Sequence, residues 1–193
     1  AGHPPYEIKK VAVIGAGLMG AGIAYVQAKA GIETVLLDVS QEAAEKGKAY
    51  SKRIVDKDVS RGKLSKEKGD ELLARITPST DYSLIKGSDL VVEAVFESPA
   101  LKADVTKKAE AFLADTAVFG SNTSTLPITG LAEASVRPKN FIGIHFFSPV
   151  ERMGLVELIR GKETTDETAA KAIDYVLKIR KTPIVVNDFR GFY

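Results

Sequence analysis

The sequence predicts an α/β protein built on a doubly wound, mainly parallel sheet with a mixed or antiparallel extension. Three observations carry that expectation. Short, near-continuous apolar runs alternate with longer helical stretches, the pattern of strands covered on both faces. The first run leads straight into a glycine turn, Gly15-Ala16-Gly17-Leu18-Met19-Gly20, which opens an apolar helix. The second run ends in an acid, Asp38, 23 residues after Gly15.

The elements follow in order. Lys10–Ile14 is the first strand and Met19–Ala30 the first helix, with Gly31 placed to end it. Thr34–Leu37 is the next strand, and Ser40 caps a helix over Ser40–Val55. Lys66–Arg75 forms the second arm of a helical hairpin broken near Ser60-Arg61-Gly62. Further strands are expected at Leu90–Val95, Ala117–Ser121, Phe141–Phe146, Gly154–Ile159 and Pro183–Val186. Helices are expected at Leu101–Leu113 and at Asp166–Ile179, the latter capped by Asp166. The late strands follow one another closely, which is why they form the mixed or antiparallel extension.

Bulk properties bound the function. A chain of 193 residues buries one good core, so one domain is expected, spanning 8–193 behind a tail at 1–7. A net charge of +2 makes no case for nucleic acid. The absence of cysteine excludes disulfides, cysteine nucleophiles and thiolate metal sites, and it suits a reducing compartment such as the cytoplasm. No metal site is expected. No apolar run is long enough to span a membrane, and no secretory signal precedes the first strand. Both ends read as cuts, at Ala1 and after Gly191-Phe192-Tyr193.

The glycine turn has the context of a dinucleotide-binding, Rossmann-type unit. Gly15 permits the tight turn, Gly17 lets the backbone approach a pyrophosphate, and Gly20 lets helix and strand pack closely. The helix N-terminus supplies free N–H groups to the phosphates. A glycine-rich turn in another α/β domain, with Asp38 merely opening a loop, is the alternative. Asp38 can accept both ribose hydroxyls and repels a 2′-phosphate, so the cofactor expected is NAD rather than NADP.

Three further groups carry chemistry. Val91-Val92-Glu93-Ala94-Val95-Phe96-Glu97, with Lys102 beyond it, ends a strand where open α/β sheets bind ligands. Ser121-Asn122-Thr123-Ser124-Thr125 follows another strand. Gly143-Ile144-His145-Phe146-Phe147-Ser148-Pro149-Val150 is followed by Glu157. His3 lies in the tail, so His145 is the histidine that matters. Alone, a histidine among apolar residues is more often a hydrogen-bonded core residue. Glu157, twelve residues later on the next run, changes the balance, because a carboxylate fixes the tautomer and favours the imidazolium. That suits a base taking a proton from an alcohol. The weak alternation around Glu157 leaves it open between a solvent-facing and an internal place. Ser124 lacks the Gly-x-Ser-x-Gly setting of a nucleophile; it reads as a hydrogen-bonding group, or as an N-cap near Pro127. The basic stretch Lys46–Lys68 is either a solvated helix face or a site for a phosphorylated substrate tail.

On these residues the chain resembles the L-3-hydroxyacyl-CoA dehydrogenases of fatty-acid β-oxidation, and more narrowly the dehydrogenase part of bacterial multifunctional fatty-acid oxidation enzymes. The resemblance runs from about Ile8 to the last residue. It implies oxidation of an L-3-hydroxyacyl-CoA to a 3-ketoacyl-CoA with NAD as hydride acceptor. It implies His145 as base, Glu157 as its paired acid, Ser124 at substrate oxygen and cofactor, and Asp38 at the ribose. It places Leu18, Met19, Val95, Phe96, Glu97, Lys102 and Ser148 against NAD, and the basic hairpin near the phosphates of coenzyme A. Ser148 departs from the family's usual asparagine and brings shorter reach and fewer donors. The resemblance also implies a following asparagine and C-terminal helical domain that this chain lacks, an oligomeric parent, and a thiolase partner. A non-catalytic NAD-binding sensor or recruitment module, and a stand-alone biosynthetic 3-hydroxybutyryl-CoA dehydrogenase, are the other readings.

Overall fold

The computed structural model describes residues 2–188. Its strands are β1 (Lys10–Ile14), β2 (Glu33–Leu37), β3 (Ile76–Ser79), β4 (Leu90–Glu93), β5 (Val118–Ser121), β6 (Phe141–Phe146), β7 (Leu155–Arg160) and β8 (Thr182–Asn187). Its α-helices are α1 (Leu18–Lys29), α2 (Gln41–Ser60), α3 (Lys66–Ala74), α4 (Pro99–Glu110), α5 (Ile128–Leu131) and α6 (Asp166–Lys178). One sheet holds all eight strands in the order β3-β2-β1-β4-β5-β6-β7-β8. Neighbours from β3 to β6 are parallel, β6 and β7 are antiparallel, and β7 and β8 are parallel again. The extension is therefore mixed. β6 and β7 are joined without a helix and turn back on each other, whereas α6 carries the chain across to a parallel β8.

Burial explains the near-continuous apolar runs. All four residues of β4 and of β5 are buried, and so are the last four of β1. Alternate residues feed two cores. Val11 and Val13 pack with α1 and α6, and Ala12 and Ile14 pack with α4 and α5. Every residue of α1 from Gly20 to Ala28 is buried, as befits a helix that is apolar all round. No helix of the described residues is long and apolar enough to cross a membrane.

Several expectations need correction. β4 stops at Glu93, and Val95 lies in the loop beyond it. α4 starts earlier than expected, at Pro99, because the Ser98 side chain accepts from Leu101 N–H and proline suits a first helical position. α2 runs past Val55 to Ser60 before the break at Gly62, whose φ is +72°. Thr165 rather than Asp166 caps α6. β3 was not expected; it is an edge strand containing Pro78, which dilutes the apolar pattern and is tolerated there. Tyr6, assigned to the tail, is tied down, with its N–H on Asp174 at 2.8 Å and its hydroxyl on the Asp89 carbonyl at 2.8 Å. The Gly191-Phe192-Tyr193 end lies outside the described residues.

Candidate active site

The strand order reverses between β1 and β4, and the crevice beyond their carboxyl ends is where open α/β sheets bind ligands. The glycine turn sits there. Gly15 has φ +102°, and a Cβ on it would meet the Ala94 carbonyl oxygen at 2.6 Å. A Cβ on Gly20 would fall 1.6 Å from the Gly15 oxygen, so no side chain fits. Gly17 differs: nothing lies within 4 Å of its would-be Cβ. It caps α1 without a side-chain hydrogen bond, and the first turn carries no acid. The leading N–H groups of α1 thus face open space with a positive dipole end, a fit for a pyrophosphate.

Asp38 closes one side of this mouth. Its carboxylate accepts from Ala16 N–H at 2.8 Å and from Val39 N–H at 2.6 Å. Those two bonds orient it beside the turn, where ribose hydroxyls would reach it. Just beyond the ends of β2 and β4, Val39 and Phe96 are 94% and 86% exposed. Leu18 is also exposed and Met19 half-buried, so the rim offers apolar surface to the flat rings of a dinucleotide.

At the end of β4 the structure separates residues that the sequence groups together. Glu93 is buried, and its carboxylate takes Lys102 Nζ at 2.6 Å, Val95 N–H at 2.9 Å and Ser121 Oγ at 2.6 Å. Lys102, expected at the cofactor, has its side chain only 1% exposed and reaches Glu93 and the Val95 carbonyl. It holds the β4–α4 loop from inside. Glu97 is exposed and bridges to the β5 exit, accepting from Thr123 Oγ1 at 2.8 Å and Ser124 N–H at 3.0 Å. Ser124 itself is exposed; Pro127, not Ser124, is the N-cap of α5.

His145 and Glu157 are direct cross-strand partners in the β6–β7 ladder. Nδ1 of His145 lies 2.9 Å from Oε1 of Glu157. An ionised carboxylate only accepts, so Nδ1 carries the proton and Nε2 is left for other chemistry. The two side chains are 17% and 34% exposed, neither sealed nor fully solvated. The Phe147 ring, 4.7 Å from the imidazole, walls one side. From Asp38, just past the end of β2, to His145 on β6 the sheet edge crosses four strand spacings, about 19 Å. The adenosine-side acid and the imidazole so flank one crevice from opposite ends.

The turn after β6 carries Ser148, which is exposed. Three contacts hold that turn, none of them foreseen from the sequence. Val150 sits where a Cβ on Gly22 of α1 would come within 2.9 Å. Lys181 Nζ donates to the Val150 and Met153 carbonyls at 2.7 and 2.5 Å, and burial lowers its pKa. Tyr50 of α2 donates to Glu151 at 2.6 Å; burial first, then that carboxylate, pushes its phenol up to about 12. The basic hairpin is partly neutralised locally, by Lys46–Glu42, Lys52–Asp56 and Lys66–Asp70. Lys48, Arg53, Lys57, Arg61, Lys63 and Lys68 make no ion pair among the described residues.

Comparison with known proteins shows the family. The family described as 3-hydroxyacyl-CoA dehydrogenase, NAD binding domain, matches residues 10–189. A fatty acid oxidation complex subunit alpha from Idiomarina loihiensis is 47% identical over 186 residues, which are 96% of this chain and 26% of that protein. The chain thus spans about a quarter of that curated relative. Among solved structures, (S)-3-hydroxybutyryl-CoA dehydrogenase PaaH1 from Ralstonia eutropha is 39% identical with a TM-score of 0.92, covering 96% of this chain and 66% of its own. FadB2 from M. tuberculosis is 34% identical with a TM-score of 0.91, covering 97% of this chain and 66% of its own. A glycine turn with open space at Gly17, an acid beside it and a carboxylate-backed imidazole on the same edge belong together for a reason: the chain is a member of the 3-hydroxyacyl-CoA dehydrogenase NAD-binding domain family.

Proposed function

We propose that this chain is the NAD-binding part of an enzyme that oxidises L-3-hydroxyacyl-CoA to 3-ketoacyl-CoA in fatty-acid breakdown. The observation that carries the reading is the His145–Glu157 pair on the same edge as the glycine turn. Bound NAD supplies the hydride acceptor. His145 Nε2 takes the hydroxyl proton as the carbon is oxidised, and Glu157 steadies the imidazolium through Nδ1. Ser124 lies at the β5 exit, placed by its N–H on Glu97, where a hydroxyl can meet the substrate oxygen. The basic α2–α3 hairpin faces the phosphates of coenzyme A.

The 47% identity to a fatty acid oxidation complex subunit alpha favours a multifunctional parent, working in an assembly with a thiolase in the cytoplasm. A C-terminal helical domain then completes the acyl pocket. The likeness to PaaH1 supports a stand-alone 3-hydroxybutyryl-CoA dehydrogenase as the second reading. A pure NAD sensor has no use for a carboxylate-backed imidazole at that edge.

The test is His145→Gln in the full-length parent. NADH formation from 3-hydroxybutyryl-CoA should fall by about 10²–10⁴-fold, the range of a lost general base. NAD affinity, measured by fluorescence titration, should stay unchanged. A variant as active as the parent would remove His145 from the chemistry.

A further inference from the structure

The backbone ladder between β5 and β6 ends at Ser121↔Gly143. β6 runs on for three more residues, through His145 to Phe146. On its β5 side that overhang is held by a side chain: Asn122 Oδ1 accepts Phe146 N–H at 2.9 Å. Asn122 donates its own N–H to the Glu93 carbonyl at 2.8 Å. Its neighbours are pinned as well, Ser121 by the buried Glu93 carboxylate and Thr123 by Glu97. The carboxamide therefore projects from a fixed base rather than a free loop.

Phe146 N–H belongs to the peptide plane that leaves His145. Because that plane is rigid, fixing its N–H fixes ψ of His145. The direction in which the imidazole leaves the strand, and its approach to Glu157, follow from that angle. We propose that Asn122 is a positioning residue for His145, setting the imidazole through the His145–Phe146 peptide without touching substrate or cofactor. This rests on the reading of His145 as the base, but it can be tested without turnover.

The chain has two histidines, so a His3→Ala background leaves one imidazole to follow by NMR. In that background the Nδ1–H proton held by Glu157 should exchange slowly with water. Asn122→Ala should speed the exchange roughly tenfold, the effect of losing one hydrogen bond. Asn122→Asp keeps the acceptor and should return it towards the starting rate. NAD affinity should stay within about twofold, since no cofactor group is removed. In the full-length parent kcat should fall while KM for NAD holds. Unchanged ring exchange in Asn122→Ala overturns the proposal. So does a parallel loss of NAD affinity, which would put Asn122 at the cofactor. If Asn122→Ala fails to fold, Asn122→Ser, whose hydroxyl is too short for the gap, is judged by the same criteria. Should His145→Gln prove active while the ring measurement holds, the base assignment fails and the positioning stands.

Discussion

Two acid–base pairs lie along the same edge of the sheet and do different work. At the end of β4, Glu93 and Lys102 meet at 2.6 Å with side chains 1% exposed each. Across β6 and β7, His145 and Glu157 meet at 2.9 Å with 17% and 34% exposure. The first pair is buried and well tied: Glu93 also takes Ser121 and the Val95 N–H, and Lys102 also reaches the Val95 carbonyl. Both side chains are closed off from solvent in the structure, and the pair ties the β4–α4 loop to the strand end. The second pair leaves Nε2 without a hydrogen-bond partner among the described residues, on a side chain that keeps some exposure. Proximity of an acid and a base is thus common to structure and chemistry; burial distinguishes them.

The largest effect expected from this contrast is on the buried pair. Lys102→Met strands the Glu93 charge in the interior and should cost about 3–5 kcal/mol, measured by urea denaturation. The double variant Lys102→Met/Glu93→Gln removes the stranded charge and should recover more than half of that loss. A double variant as unstable as the single one would mean the charge is not what matters. Glu157→Gln should behave oppositely. On stability it should cost no more than about 1 kcal/mol, as for other partly exposed pairs. In the full-length parent it should slow oxidation by roughly 10²-fold, at the low end for acid–base assistance. Equal stability losses at Lys102 and Glu157 would erase the distinction.

The smallest effect concerns the Tyr50–Glu151 contact at the turn beyond β6. Burial and the Glu151 carboxylate push the Tyr50 phenol up to about 12, against an ordinary value of 10.0. A group whose folded pKa is raised stabilises fully below its unfolded pKa and loses that contribution as pH climbs through the folded one. Stability should therefore decline between pH 10 and 12, and Tyr50→Phe should remove one part of a decline to which Tyr6 also contributes. Spectrophotometric titration should lose one high-pH tyrosine step in that variant. An unaltered titration curve would place Tyr50 away from Glu151.

The β1–α1–β2 unit was legible because its information is local. Gly15, Gly17 and Gly20 stand where backbone geometry admits no other residue or needs open space, and neighbours in sequence create those demands. Glu157 was only half legible. Its own strand pattern was ambiguous, and its meaning came from a register with His145 that the β6–β7 pairing sets. The burial of Lys102 and its pairing with Glu93 were not legible, because burial cannot be seen in a charged residue on a helix. Asn122 and Lys181 carried no sequence mark of what they hold; both act on backbone carbonyls or N–H groups that any residue possesses.

By itself the sequence determined the alternating α/β order, the dinucleotide turn, the acid at the end of the second strand and the family to which the residues point. Periodicity, glycine placement and short spacings are properties of neighbouring residues, and chain order preserves them. Only the tertiary structure decided which charges are sealed, which partner each acid takes, and that β7 returns antiparallel so that a carboxylate lands on an imidazole. Those depend on segments far apart in the chain meeting at hydrogen-bond distance, and burial and register arise only once the sheet and its helices have assembled.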